Sequence, residues 1–563
     1  MKKQSLSILL CLAALSFPAP TPALTLGAVK ARVHSIGGEQ NGVWNLWSNG
    51  ELGDYFQFDQ AGRYVFRVTA YGSPASGGWP EMRVMVDDRQ LGMIVLSNAQ
   101  PASFEFPFET ERGTHRLTVS FLNDLMIGKE DRNLYVVSLA VEPTAGLPAP
   151  LIGDAAAWKQ ERRVIEVALE KKALADASLA IEKNRKGDAT VRVIDAQGKP
   201  IQSAPVAVEL TRHEFLFGCN IFGFDRRPGP AQNELYQQRF RDLFNYATAG
   251  FYWIAFERER GKPNYDYMDK VTGWCRTNGI RVKGHPLLWG NESGIPPWSR
   301  GQPDAAAQER RVREIVERYQ GRIDYWEVVN EPSHEMSVKI DDPYRWAREA
   351  NPTAHLIIND YFILADGGPS FRRLLETSIR NGVPFDGIGI QAHEPANMRF
   401  PLHRVKAILD DYAALGKALH ITEFTPASNG EPVVGSAVGG VWDEARQAEY
   451  AENFYRLCFS HPAMRGITWW DLSDGGSWRK GGGLLRPDLS PKPAYEALRK
   501  LIHEEWTTRV EGVTDRNGAL AFRGYYGDYK VTVKRGAESR IDVFSLARGK
   551  DNSWVTEPGA PAK

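Results

Sequence analysis

The chain has 563 residues, 42% of them apolar, which is enough material for several domains with cores of their own. Lysine plus arginine and aspartate plus glutamate both number 69, so the formal net charge is zero. That balance argues against nucleic acid or an anionic membrane as a partner and leaves a neutral ligand as the expectation.

At the start, Lys2 and Lys3 precede an apolar run from Leu6 to Phe17, followed by a Pro/Ala stretch in which Thr21 and Ala23 are spaced for cleavage. Residues 1–23 therefore read as a secretory signal, too short to span a membrane, and predict release into the periplasm or medium. Cys11 lies inside the apolar run and does not suit lipid attachment. The remaining Cys219, Cys275 and Cys458 are too few, and odd in number, for a disulfide framework; they are expected as buried thiols, with no Cys/His cluster to suggest zinc.

From 27 to 145 apolar and polar residues alternate, as in Tyr64-Val65-Phe66-Arg67-Val68 and Arg116-Leu117-Thr118-Val119-Ser120-Phe121, with Gly and Asp turns between. A period of two at such short intervals predicts an antiparallel β-sandwich. Residues 146–212 read as a Pro-rich linker (Pro143 to Pro150), a helix rich in Ala, Glu and Lys from about Asp154 to Lys172, and a small β unit around the Gly198-Lys199-Pro200 turn. Residues 507–563 read as a C-terminal β appendage and tail, from the Asp515-Arg516-Asn517-Gly518 turn and Tyr529 to Val533.

Between them, over 213–506, eight apolar runs of strand length alternate with amphipathic stretches of helix length. The runs are Phe215–Cys219, Phe244–Ala249, Ile280–Trp289, Ile323–Glu331, His355–Tyr361, Gly387–His393, Leu419–Phe424 and Ile467–Asp471. Eight such repeats close most simply into a (β/α)8 TIM barrel, so the chain falls in the α/β class. An open doubly wound sheet is the alternative, but no Gly-rich phosphate loop follows the first strand. Two of the runs carry a glutamate at or next to their carboxyl end, Glu331 and Glu423. Barrel enzymes place their chemistry at the carboxyl ends of strands, and a pair of carboxyls is what glycosidic bond cleavage needs.

With those residues in place the chain resembles glycoside hydrolase family 10, whose members are mostly endo-1,4-β-xylanases. The resemblance rests on Trp326 to Glu331, Ile421 to Phe424, His285 with Trp289, Gln391-Ala392-His393, and Trp470 through Ser477-Trp478, and it covers about 215 to 505. It implies that Glu331 is the acid/base and Glu423 the nucleophile of a retaining double displacement, which wants the pair about 5 to 5.5 Å apart. It further implies that Asn330 holds the sugar 2-hydroxyl, that His393 hydrogen-bonds Glu423, that Gln391 positions the pair or sugar hydroxyls, and that His285, Trp289, Trp470, Trp478 and Trp253 line the sugar sites. Catalysis of this kind needs no cofactor, and no metal is expected in the barrel. The partner implied is a xylan-type polysaccharide acted on by a monomer.

The sequence departs from the family after the second strand. The usual Glu-Asn and Lys-Trp pairs are replaced by Thr248-Ala249-Gly250-Phe251-Tyr252-Trp253, and Gly290 stands where a second His is common. The sites for the sugars on the non-reducing side of the cleaved bond thus read as rebuilt. The N-terminal sandwich resembles xylan-binding carbohydrate modules that use calcium. Trp44, Trp47 and Trp79 are candidates for stacking on sugar, and Asp124, Glu130, Asp131 and Asn133 for holding calcium through oxygen. Two other readings stay open: a β-glycosidase acting on another plant or microbial glycan, and a non-catalytic polysaccharide-binding protein.

Overall fold

The computed structural model describes residues 23–557 except 145, 336, 394–397 and 536–537, so the signal-like segment lies outside the described residues. The chain divides at Arg162/Arg163 into an N-terminal unit and a larger one carrying the barrel.

The N-terminal unit is built of two antiparallel sheets. One contains Gly38–Gln40, Val43–Leu46, Asn133–Pro143, Gly62–Ser73 and Ala102–Thr110, with Leu24–Gly27 alongside Asn133–Pro143. The other contains Leu151–Ile152, Gly50–Phe58, Gly113–Phe121, Glu81–Val86 and Arg89–Val95. Strict alternation along Gly62–Ser73 sends Tyr64, Phe66, Val68 and Ala70 inward, where they pack with Phe56, Val84 and Val119 in a core of their own. The boundary differs from the sequence reading. Past the Pro-rich stretch the chain returns to the sandwich, pairing Leu151 with Gln57, and the Trp158 indole donates to Asp87 at 2.8 Å. Those residues belong to the sandwich and not to a spacer.

In the second unit eight parallel strands close on themselves. They are β1 (Leu216–Asn220), β2 (Tyr246–Gly250), β3 (Arg281–His285), β4 (Tyr325–Asn330), β5 (His355–Asp360), β6 (Gly387–Ala392), β7 (Ala418–Phe424) and β8 (Met464–Trp469). β1 pairs with both β2 and β8, and β3 joins β4 through Lys283 and Tyr325, which completes the ring. Every residue of β6 is buried, as expected of a parallel strand walled by side chains within and helices without. Isoleucines such as Ile388 and Ile390, with no exposure, each contribute roughly 1.5–3 kcal/mol of burial. Two of the outer helices start on acidic caps: Asp304 accepts from Ala307 N at 2.8 Å and Asp443 from Arg446 N at 2.7 Å. Cys219, Cys275 and Cys458 are buried and free.

The segments before and after the barrel, read from sequence as two separate β pieces, form one module. Lys186–Val193 lies between Ala519–Tyr525 and Ser553–Thr556, and Pro205–His213 between Arg509–Val513 and Gly527–Arg535. Val191, Val208, Tyr529 and Trp554 join a core continuous with the barrel's. No helix among the described residues is long and apolar enough to cross a membrane.

Candidate active site

The carboxyl ends of the strands surround a cleft of about 1590 Å³, larger than the 300–1,000 Å³ typical of drug-sized ligand sites. Backbone irregularities at this rim aim the side chains. The β4–β5 ladder slips between Glu327 and Asn330, and the β6–β7 ladder slips after Ile390, so that Gln391 lies beside Glu423. Such bulges re-aim side chains at barrel rims. Glu331, just past β4, has φ +53°, a conformation that carries strain for any residue but glycine. Its N–H donates to Asn359 O at 3.1 Å, which fixes the turn.

Glu331 and Glu423 both line the cleft. Gln391 Nε2 donates to Glu331 Oε1 at 2.8 Å and Trp289 Nε1 to Oε2 at 3.0 Å. Burial, then the charge of Glu423, pushes Glu331 up to about 8, against those two donors. Glu423 is 4% exposed, and Asn359 Nδ2 donates to its Oε1 at 3.1 Å. His393 Nε2 lies 2.7 Å from the other oxygen, and its Nδ1 lies 2.8 Å from Thr425 Oγ1. Burial drives His393 down to about 3, so the ring is neutral. One tautomer then serves both contacts, with Nε2–H donating to Glu423 and Nδ1 accepting from Thr425. Burial raises Glu423 as well, opposed by the nearby His285 and Lys283. Both carboxyls are thus raised, Glu331 to about 8 and Glu423 to about 7, with the charges of His285 and Lys283 acting on Glu423 alone.

Behind the pair lies a buried ionic group that sequence reasoning missed. Lys283 Nζ contacts Glu327 Oε1 at 2.6 Å, His285 Nδ1 bonds the other oxygen, and Glu327 has no exposure. Burial opposes its charge, yet Lys283 and His285 hold Glu327 ionised, below its ordinary range. His285, Glu327 and Glu423 bring their ligand atoms within 4.8 Å of one another. Lys283 already supplies the positive charge that a metal would bring there. The signal for this group was a lysine and a glutamate interrupting otherwise apolar strands.

Most of the other residues singled out from sequence converge here. Asn330 is 1% exposed and its Oδ1 has no partner, leaving a buried acceptor facing the cleft. Trp470 packs edge-on to His285 at 5.3 Å and to His393 at 5.6 Å. Trp478, 59% exposed, stands over His393 at 4.6 Å. Trp253 does not belong with them. It opens the short helix Trp253–Phe256, is 1% exposed, donates to Glu257 at 2.8 Å and lies under Arg311, so it serves the core. Its neighbour Tyr252 takes the cleft position, with its hydroxyl 3.1 Å from His285 Nε2. Gly290 has a packing reason: a Cβ there would meet Glu335 O and Ser337 Oγ at 2.7 Å, leaving no space for a side chain.

In the N-terminal unit Trp47 is 47% exposed, Trp79 is half-buried, and Trp44 is half-buried with its indole donating to Ile36 O at 3.1 Å. The four residues proposed for calcium do not form one shell. Glu130 is drawn to Ser76 N at 2.7 Å, the Asn133 amide turns to Asp131 at 2.8 Å, and no three acidic residues of this loop cluster share a ligand sphere. Asp124 and Asp131 remain as oxygen donors of the right chemistry; burial and then the charge of Asp131 are among the causes that raise Asp124.

A closed parallel barrel with two buried carboxyls at its carboxyl-terminal rim, each held by side-chain donors, is the arrangement of a glycoside hydrolase. The model for "Glycosyl hydrolase family 10" matches residues 217–501, and the chain belongs to that family. A model for a "Ca-dependent carbohydrate-binding module xylan-binding" matches residues 65–149. Among curated relatives, the anti-sigma-I factor RsgI6 of Acetivibrio thermocellus is 31% identical over 394 residues, 68% of this chain and 49% of that protein. Endo-1,4-beta-xylanase B of Thermotoga neapolitana is 30% identical over 306 residues, 49% of this chain and 86% of that protein. The chain thus spans about half the length of the first and most of the second. Native xylanase 10B from Thermotoga maritima is a solved structure with 26% identity, covering 52% of this chain and 96% of its own, at a TM-score of 0.44.

Proposed function

We propose that the protein is an exported, retaining endo-β-1,4-xylanase whose N-terminal module holds the polymer. The observation that carries this is two buried carboxyls facing one cleft in different surroundings: Glu331 is raised to about 8 by burial and the charge of Glu423, while Glu423 lies beside His285 and Lys283, whose charges oppose its own rise. Glu331 gives its proton to the glycosidic oxygen as Glu423 attacks the anomeric carbon, and a covalent glycosyl-enzyme forms. Glu331, now ionised, takes a proton from water, which releases the sugar with its β configuration. Asn330 Oδ1 accepts from the 2-hydroxyl, a contact that strengthens as charge grows on the ring. Trp470 and Trp478 cover the ring being cleaved. A purely sugar-binding protein has no use for an acid and a nucleophile set apart in this way.

A second reading, action on a different β-linked glycan, is favoured by Tyr252, whose phenol stands at the mouth of β2 where the family presents polar groups. One experiment covers both. Purified xylans, glucans and mannans are digested, and the first-formed anomer is followed by proton NMR. Internal cleavage of xylan with β product appearing first is expected. An α product first removes the retaining assignment, and release from glucan or mannan alone selects the second reading. The leader pattern over residues 1–23 supports export.

A further inference from the structure

One wall of the cleft carries four cations that have no acidic partner among the described residues. Arg226 and Arg227 lie in the loop after β1, and Arg479 and Lys480 in the loop after β8. Because β1 and β8 are hydrogen-bonded neighbours, the two loops rise from the same side of the barrel, and Arg227 Nη1 ties them by donating to Gly475 O at 2.6 Å. Among the described residues none of the four forms an ion pair with a carboxylate. The acids of these two loops are engaged elsewhere: Asp471 accepts from Trp478 N at 2.9 Å and Asn220 Nδ2 at 3.3 Å, Asp225 pairs with Lys270, and Asp474 pairs with Lys492 at 2.7 Å.

The cations are set in place and not merely solvated. The Arg226 guanidinium lies 4.6 Å over the Tyr267 ring, and that of Arg479 lies 3.9 Å over Trp478, the aromatic that covers the sugar site. The Arg479 carbonyl accepts from Gly482 N at 2.9 Å and Ser477 Oγ at 2.8 Å, which fixes the loop. A guanidinium stacked on a ring keeps its edge free, and that edge matches a carboxylate in planar, two-pronged fashion. In a chain of zero net charge, four unpaired cations on one wall of a sugar cleft are a local feature that a neutral polymer would leave unused.

We infer that this wall recognises a carboxylate carried by the polysaccharide, so that the preferred substrate is a β-1,4-xylan bearing uronic acid side groups. The inference rests on the xylanase reading and narrows it. The test compares a uronic acid-substituted xylan with the same polymer after reduction of its carboxyls to alcohols, which removes the charge and keeps the bulk. At low salt kcat/KM on the acidic polymer is expected to exceed that on the reduced one by roughly tenfold, the weight of one charge-assisted contact. The ratio should shrink at 0.5 M salt, where the Debye length falls below about 5 Å. Arg226→Gln with Arg479→Gln, both exposed positions, should bring it to about one. Equal hydrolysis of both polymers by the unaltered protein overturns the inference alone. A ratio that survives in the double variant overturns the assignment to this wall. No hydrolysis of either polymer overturns the xylanase reading and this inference with it.

Discussion

The mouth of the barrel and the loop end of the N-terminal sandwich both gather acidic and aromatic residues, and they do so in opposite ways. At the mouth, Glu327 has no exposure, Glu423 has 4%, and both are held by donors from other strands. In the sandwich, Asp124, Glu130 and Asp131 are exposed and turn to separate partners: Asp124 N to Asn49, Glu130 to Ser76 N, and Asp131 to the Asn133 amide. Buried polar groups must be satisfied and are therefore fixed before any ligand arrives, whereas exposed carboxylates gain little from meeting each other and converge only around a cation. The barrel mouth is a preorganised site, and the sandwich loop is not.

The largest effect expected of the preorganised site comes from removing its nucleophile. Glu423→Ala should lower kcat on xylan by roughly 10⁴-fold or more while the far-UV spectrum stays unchanged. Azide, small enough for the space left behind, should restore turnover with inverted product, since it attacks from the side Glu423 occupied while Glu331 still protonates the leaving group. Near-normal turnover in the variant without azide removes Glu423 from its role.

The same contrast explains what the sequence disclosed. Barrel strands are buried on both faces and read as apolar runs, so the glutamates at or next to the ends of two of them, Glu331 and Glu423, stood out. Lys283, Glu327 and Asn359 did not. They are polar residues inside apolar runs whose partners sit on neighbouring strands, and only closure of the barrel shows that they meet. Trp253 was misplaced by one residue because the register of the loop after β2 is set by the short helix Trp253–Phe256, too short to leave a periodic signal. The β module around the barrel was invisible for a different reason: Lys186 pairs with Tyr525 across the whole barrel sequence, and no local pattern records such a pairing.

On the sandwich side the expected effect is smaller. Calcium chelation should weaken retention of the full chain on insoluble xylan by roughly tenfold in affinity gel electrophoresis, and added calcium should restore it, if Asp124 and Asp131 draw together around the ion. Hydrolysis of short soluble xylo-oligosaccharides should not change. Retention indifferent to EDTA would mean that the loop acts without an ion and that exposed Trp47 carries the contact.

The finest test lies within the mouth, where two single donors should move opposite limbs of one pH profile. Gln391 Nε2 sits 2.8 Å from Glu331 and stabilises its ionised form, so Gln391→Ala leaves burial and the charge of Glu423 less opposed. Glu331, already pushed up to about 8, then rises further, and the alkaline limb of kcat/KM moves to higher pH. Asn359 Nδ2 stabilises ionised Glu423 from 3.1 Å, so Asn359→Ala raises that carboxyl instead, already at about 7, and the acid limb moves to higher pH. A hydrogen bond to a charged group is worth about 1.5–3 kcal/mol, which sets each shift at roughly 1–2 pH units. Both variants shift upward, but on different limbs, because one donor holds the group that must start protonated and the other the group that must start charged. Movement of the acid limb by Gln391→Ala, or of the alkaline limb by Asn359→Ala, would exchange the roles of Glu331 and Glu423.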